Sequence, residues 1–344
     1  MKTVKTRSWL VFFILFVLLF GLAVYYFSEI KNEFRLLERV NPYWLIAALC
    51  GQFMTYFFTA LIYQLLLKAY RLPRLPGRWD LLKASIISLF FNQTVPSAGI
   101  SGNTFLVNFL ARFNLSRTPA ISLILEELLI FYSAMEAIII SLLIACMFVY
   151  RSFYSFKGVL TAGILIYLAF SLVVSFAGRK NMLTRLYDKV SKARLVKKLF
   201  KSINKKMSES DILKNEVLVW PLIKSNIPMA IRVFFLQLAV VAADGFTLYV
   251  LFLGIGHPIS PFIVLLTLIC TKVISILPFL PGSLVLYESS MSFFFASAGV
   301  PAGTAIVVTL VYRFLSFWFP MPVGTFLYRQ WLKNAPSEIN HPAC

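Results

Sequence analysis

Five charged residues lie where a chain of this composition tolerates few: Glu126, Glu127, Asp244, Glu288 and Arg313 sit inside long apolar stretches of a sequence that is 59% hydrophobic. A charge surrounded by hydrocarbon costs several kcal/mol unless it lines a polar cavity or meets a partner. Binding is the chemistry such residues offer. A carboxylate there can take a proton, a cation or an ammonium group, and a guanidinium presents a planar fork that fits a phosphate.

Each has a competing structural reading. Glu288 follows Gly282 by six residues, so it falls about one turn into a short helical arm near the membrane midplane, or else it snorkels to the surface. Arg313 lies about 12 Å along its span at 1.5 Å per residue. It either pairs with Glu288 or Asp244 or meets a lipid phosphate. Asp244, followed by Gly245, is a candidate for proton or cation coupling, or for a helix–helix hydrogen bond. Glu126 and Glu127 are about 100° apart on one helix, and Glu136 lies about 80° to the other side of Glu126, so the three cannot share one narrow stripe. Lys272 and Arg232 read as side chains running along the helix surface.

The elements that must carry these residues are membrane spans. At 344 residues with mean hydropathy +0.80, most of the chain falls in apolar runs of roughly 20 residues, the length that crosses about 30 Å of hydrocarbon. Full spans are expected at 8–27, 43–67, 118–149, 157–177, 228–253 and 303–328. Residues 81–113 and 261–299 are apolar but broken at their centres, by Pro96 and Gly99 in the first and by Pro278, Pro281 and Gly282 in the second. Proline removes a backbone donor, so each reads as two short arms around a break that lines a cavity. The expected fold is all-α: a polytopic membrane protein with six spans and two re-entrant hairpins, forming one transmembrane domain over residues 1–344.

Charge orients it. The net charge is +19, and the interval from Arg179 to Lys224 carries 13 Lys/Arg against 4 Asp/Glu. In a soluble chain this would suggest nucleic acid; between spans it determines topology and meets anionic lipid, with Lys197, Lys198, Lys201, Lys205 and Lys206 as the contacts. The positive-inside rule places both termini and the 178–227 loop in the cytoplasm of a multi-pass cell-membrane protein, provided that each broken segment enters and leaves on one side. Residues 81–113 then dip from inside and 261–299 from outside.

The halves, about 8–149 and 157–330, correspond. A shift of 185 residues superposes Gln52 on Gln237, Pro96 on Pro281, Ala111 on Ala296 and Ala120 on Ala305. With three crossings in each half, the second is inverted relative to the first, as in secondary transporters.

The stretch Pro278-Phe279-Leu280-Pro281-Gly282-Ser283-Leu284-Val285-Leu286-Tyr287-Glu288, then Ala298-Gly299-Val300-Pro301, Tyr312-Arg313-Phe314-Leu315-Ser316-Phe317-Trp318 and Gly324, resembles the C-terminal signature of the flippase-like membrane family typified by the transmembrane region of lysylphosphatidylglycerol synthase. Val95-Pro96 through Glu126 is similar to that family's N-terminal copy. Where the family runs Pro-Gly-Gly-x-Gly-x-x-Glu, Ser283 and Val285 replace two glycines. Glu126-Glu127 stands where the family tends to carry Glu-Arg, and Asn103 where it has an acid. The resemblance implies lipid movement between leaflets, with Glu126 the supported member of its pair. Bifunctional members add a soluble aminoacyl-transferase domain, which is not expected here.

Three functions fit to different degrees. The first is a lipid flippase-like transporter that moves a polar-headed phospholipid or a lipid-linked precursor, with Glu288, Arg313, Glu126 and Asp244 binding substrate or ion. The second is a noncatalytic membrane partner of lipid or polysaccharide synthesis enzymes. The third, a membrane-embedded transferase, lacks its parts: no acidic Asp-x-x-Asp pair and no globular donor-binding domain is read, His257 and His341 fall in loop or terminal positions and support no Ser-His-Asp arrangement, and Cys50, Cys146, Cys270 and Cys344 are scattered with no Cys-x-x-Cys. With no P-loop, energy would come from a gradient, a partner or downhill flow. No enzyme activity, cofactor, metal or nucleic acid is expected, and the sequence leaves the oligomeric state open.

Overall fold

The computed structural model describes residues 42–70, 75–94, 100–149, 151–177, 223, 226–276, 283 and 285–333. The expected span at 8–27, the loop at 178–222 with its five lysines, and Pro96, Gly99, Pro278, Pro281 and Gly282 lie outside the described residues.

The described residues are helical. Helix α1 spans Pro42–Lys68, α2 Arg78–Thr94, α3 Ile100–Ala111, α4 Arg117–Phe148 and α5 Lys157–Ala177. In the second half α6 spans Ile227–Gly254, α7 Pro261–Ser275, α8 Leu286–Ser297, α9 Ala302–Arg313 and α10 Pro320–Lys333. Among the described residues five stretches are long and apolar enough to cross a membrane: α1, α4, α5, α6 and Ala302–Lys333, which joins α9 to α10. The order long helix, broken hairpin, long helix occurs twice, as α1, α2–α3, α4 and as α6, α7–α8, α9–α10.

Helices α1 and α6, the pair related by the 185-residue shift, make the broadest helix–helix contact among the described residues. They run antiparallel. A Cβ on Gly51 would sit 2.6 Å from Thr247 Oγ1, and Thr55 Oγ1 donates to Asp244 Oδ1 at 3.3 Å one turn further along. Small residues at a crossing let two backbones approach where no hydrophobic effect drives helices together.

Two large apolar cores lie among the described residues. Helices α1, α4 and α6 pass through both, and one hairpin packs at each end. The first core joins Ala60–Leu67 of α1, hairpin α2–α3, Ala120–Ile130 of α4 and Met229 and Val233 of α6. The second joins Met135–Cys146 of α4, Val241–Phe252 of α6, α7, α8 and α9.

The last span departs from expectation. It runs to Lys333 rather than ending near residue 328. Phe314–Trp318 form a π turn, with Phe319 N donating to Phe314 O at 2.8 Å. Pro320 has no N–H to offer the Ser316 carbonyl one turn earlier. Gln93 of α2 supplies the missing donor, its Nε2 lying 3.2 Å from Ser316 O. Beyond the turn, Gly324 lets α10 close on α2, since a Cβ there would meet Phe90 Cβ at 2.5 Å. Tyr328 and Trp331 pack against Phe91 and Phe105, and Arg112 stacks over Trp331 at 3.4 Å while donating to its carbonyl at 3.1 Å.

Candidate functional site

The break between α7 and α8 positions the charged residues. Its described members, Ser283 and Val285, have φ of +53° and +71°. They are the two residues that stand where the family pattern has glycine. The chain keeps a left-handed backbone there although neither residue favours it, least of all a β-branched valine. Ser283 Oγ donates to Ser275 O at 2.6 Å, tying the two arms together. Helix α8 then starts at Leu286, with Glu288 in its first turn, where a negative charge complements the helix dipole.

Two ion pairs flank this break. Arg313 Nε lies 2.7 Å from Glu288 Oε1, with side chains 7% and 21% exposed. The guanidinium carbon sits over the Tyr287 ring at 4.4 Å and the Phe317 ring at 4.5 Å, so the cation lies between aromatic faces. In the second pair, Lys272 Nζ lies 2.8 Å from Asp244 Oδ2, with exposures of 26% and 8%. Tyr287 and Tyr312 join the pairs: their rings stack at 6.3 Å with hydroxyls facing one another, and Tyr287 feels both Lys272 and Arg313.

The structure therefore brings Glu288, Arg313 and Asp244 into one cluster, and Lys272 with them. Lys272 does not run along the helix surface as the sequence reading had it; Asp244 draws it inward. Tyr287, Tyr312, Phe317 and Thr55 are further members that the sequence reading passed over. A signal existed, since a tyrosine precedes each charge in Tyr287-Glu288 and Tyr312-Arg313, and Lys272 is the one charge in α7. Among the described residues no group of three or more His, Cys, Asp or Glu could hold a metal ion.

Glu126 lies elsewhere. It is fully buried in the region of the first core, and neither carboxylate oxygen has a hydrogen-bond partner among the described residues. The Tyr70 hydroxyl, just past the end of α1, faces it without closing a hydrogen bond of normal geometry. Burial first, and then the Glu126 carboxylate, push the Tyr70 phenol above its ordinary range, so it stays a neutral donor. Glu127 points away, as the 100° step requires, and its Oε1 accepts from Gln237 Nε2 of α6 at 2.8 Å. Arg232 is exposed.

Chemically, each ion pair combines a deeply buried partner with a more accessible one, Glu288 in the first and Lys272 in the second. Glu288 Oε2 has no hydrogen-bond partner among the described residues. The cluster offers two cations, two anions and aromatic faces inside an apolar helical protein. These features define a multi-pass helical membrane protein with a polar cluster at a helix break.

The family described as the lysylphosphatidylglycerol synthase TM region matches residues 8–324, and this chain belongs to that family. Two relatives support the assignment. A UPF0104 membrane protein of Methanothermobacter thermautotrophicus is 41% identical over 93 residues, covering 26% of each chain. One from Pyrococcus horikoshii is 33% identical over 92 residues, covering 27% of each. The match thus spans about a quarter of the length of the curated relatives.

Proposed function

We propose that this protein is a flippase-like lipid transporter that moves a polar-headed phospholipid or lipid-linked precursor between leaflets, and that it is not an enzyme. The observation that carries the reading is the pair of ion pairs at the α7–α8 break. A zwitterionic or phosphate-bearing headgroup can take over both: its phosphate competes for Arg313 and Lys272 and its ammonium for Glu288 and Asp244. Such an exchange replaces one set of charge-assisted hydrogen bonds by another, so a buried charge need not stand alone during passage.

The antiparallel packing of α1 on α6, with one hairpin at each end, supports alternating access around a central site. By the positive-inside rule both termini and the basic loop lie in the cytoplasm of a cell-membrane protein, and that loop contacts anionic headgroups. Lipid or glycan synthesis enzymes are the natural partners, as sources or users of the lipid moved.

The test is leaflet-resolved lipid labelling in cells with and without the protein, followed by reconstitution of the full chain in liposomes. Movement that requires the protein, and that falls at least tenfold on Glu288→Gln when equal amounts of folded protein are reconstituted, is the expected result. Equal movement in empty and loaded liposomes would refute the proposal.

A further inference from the structure

Glu126 has no role in the headgroup cluster, yet it carries an unsolved charge problem. Its carboxyl is fully buried, and both oxygens lack a hydrogen-bond partner among the described residues. An ionised carboxylate in that condition carries a desolvation penalty that no cation among the described residues offsets. Among the residues whose side chains are described, the neighbouring elements bring no cation to it. Helix α1 and its end contribute Tyr63 and Tyr70 as uncharged phenols, with Lys68 exposed; α3 has no titratable side chain. From α5 the nearest titratable ring is Tyr167, packed on Tyr132 at 6.0 Å, and Lys157 lies at that helix's far end. Helix α6 offers Gln237, which is engaged by Glu127, an exposed Arg232, and Asp244, which is held by Lys272. On α4 itself, Glu127 and Glu136 are like charges.

We infer that Glu126 is a proton-binding site of the transport cycle, neutral when enclosed as here and loaded from the end of the molecule where Tyr70 lies; this rests on the transporter reading above. A proton is the ligand that fits. It converts a carboxylate to a carboxylic acid with no coordination shell, whereas a metal cation needs several oxygens at once. Glu126 lies nine residues into α4, about 14 Å from the helix start, and the Tyr70 hydroxyl faces it from the same end.

A coupling device is built in next door. Two carboxylates at successive positions in apolar surroundings resist joint ionisation. Loading Glu126 therefore lets Glu127 keep its bond to Gln237 on α6, the helix that also carries Asp244. Unloading Glu126 sets a like charge beside that bond and loosens α4 from α6. The proton thereby acts on the helix that holds one half of the headgroup cluster.

The test has two readouts on the full-length protein, reconstituted in vesicles of phosphatidylethanolamine and phosphatidylglycerol. Infrared difference spectra in H₂O and D₂O report the C=O stretch of a protonated carboxyl at neutral pH. A tail-labelled phosphatidylglycerol, quenched from outside, reports leaflet distribution with and without a pH gradient. The wild type is expected to show the band, and one pH unit should shift its lipid distribution about tenfold if one proton moves per cycle. In Glu126→Gln that band and the gradient response are both lost. Tyr70→Phe, which keeps the carboxyl, moves the band and covers the case in which Glu126→Gln does not fold. A wild type without the band, a Glu126→Gln protein that keeps it or still answers the gradient, or an unmoved band in Tyr70→Phe overturns the inference. A band lost in Glu126→Gln, with no lipid movement in the wild type under any gradient, refutes the transporter reading instead and leaves a proton site.

Discussion

Replacing Lys272 with methionine keeps an unbranched stem and removes the ammonium that lies 2.8 Å from Asp244 Oδ2. What remains is a carboxylate 8% exposed, held at 3.3 Å by the Thr55 hydroxyl. An uncompensated buried charge costs about 3–5 kcal/mol, and the surviving hydroxyl bond returns about 1 kcal/mol, so Lys272→Met should cost roughly 2–4 kcal/mol. The reverse change is milder. Asp244→Asn leaves an ammonium that is 26% exposed on a flexible stem able to carry it toward water, and should cost about 1 kcal/mol. The double variant, with no charge left to strand, should fall within about 1 kcal/mol of wild type. Thermal unfolding of detergent-solubilised protein followed by tryptophan fluorescence reads this, and Lys272→Met should melt roughly 3–6 °C lower. Two results would refute the reasoning: a Lys272→Met protein as stable as wild type, or Asp244→Asn costing more than Lys272→Met. Either would mean that the depth of Asp244 does not govern the pair.

Gln93→Leu should destabilise by about 1–3 kcal/mol, because it orphans the Ser316 carbonyl; adding Pro320→Ala, which restores a backbone donor, should recover part of the loss, and the same melting assay reads both. Val285→Gly relieves a left-handed β-branched residue worth about 1–2 kcal/mol and gives back about 0.5–1 kcal/mol in unfolded-chain entropy. The net expectation is a gain of up to about 1 kcal/mol, and a drop in melting temperature would contradict it. For topology, membrane-impermeant thiol reagents applied outside to a cysteine-free background should label His257→Cys and Ala302→Cys and miss Lys201→Cys; labelling at position 201 would reverse the orientation.

The span boundaries were legible because hydrophobic length is a one-dimensional signal. Residues 43–67 became Pro42–Lys68 and 228–253 became Ile227–Gly254. Proline and glycine marked the broken hairpins for a similar reason, since their effect on the backbone is local. The joining of Glu288 to Arg313 was one of two open readings, because partner choice depends on how α8 and α9 fold back on each other. Lys272 was misjudged since a long side chain beside hydrocarbon can equally run outward, and only the depth of Asp244 on a neighbouring helix decides. The role of Gln93 was invisible. Its partner is a backbone carbonyl 223 residues away, freed by a proline inside the span.

The π turn at Phe314–Trp318 inserts one residue into an otherwise continuous rod, which swings everything beyond it about 100° around the helix axis. Before the turn, Arg313 is aimed at α8; after it, Gly324, Tyr328 and Trp331 are aimed at hairpin α2–α3. The extra residue thus works as a key cut on two sides, letting one span lie in the correct register against both halves of the protein at once. A deletion of a single residue anywhere in 314–318 would straighten the ladder yet leave one of those two faces turned away from its lock. Along this helix, chain length constrains the sequence more tightly than residue identity does.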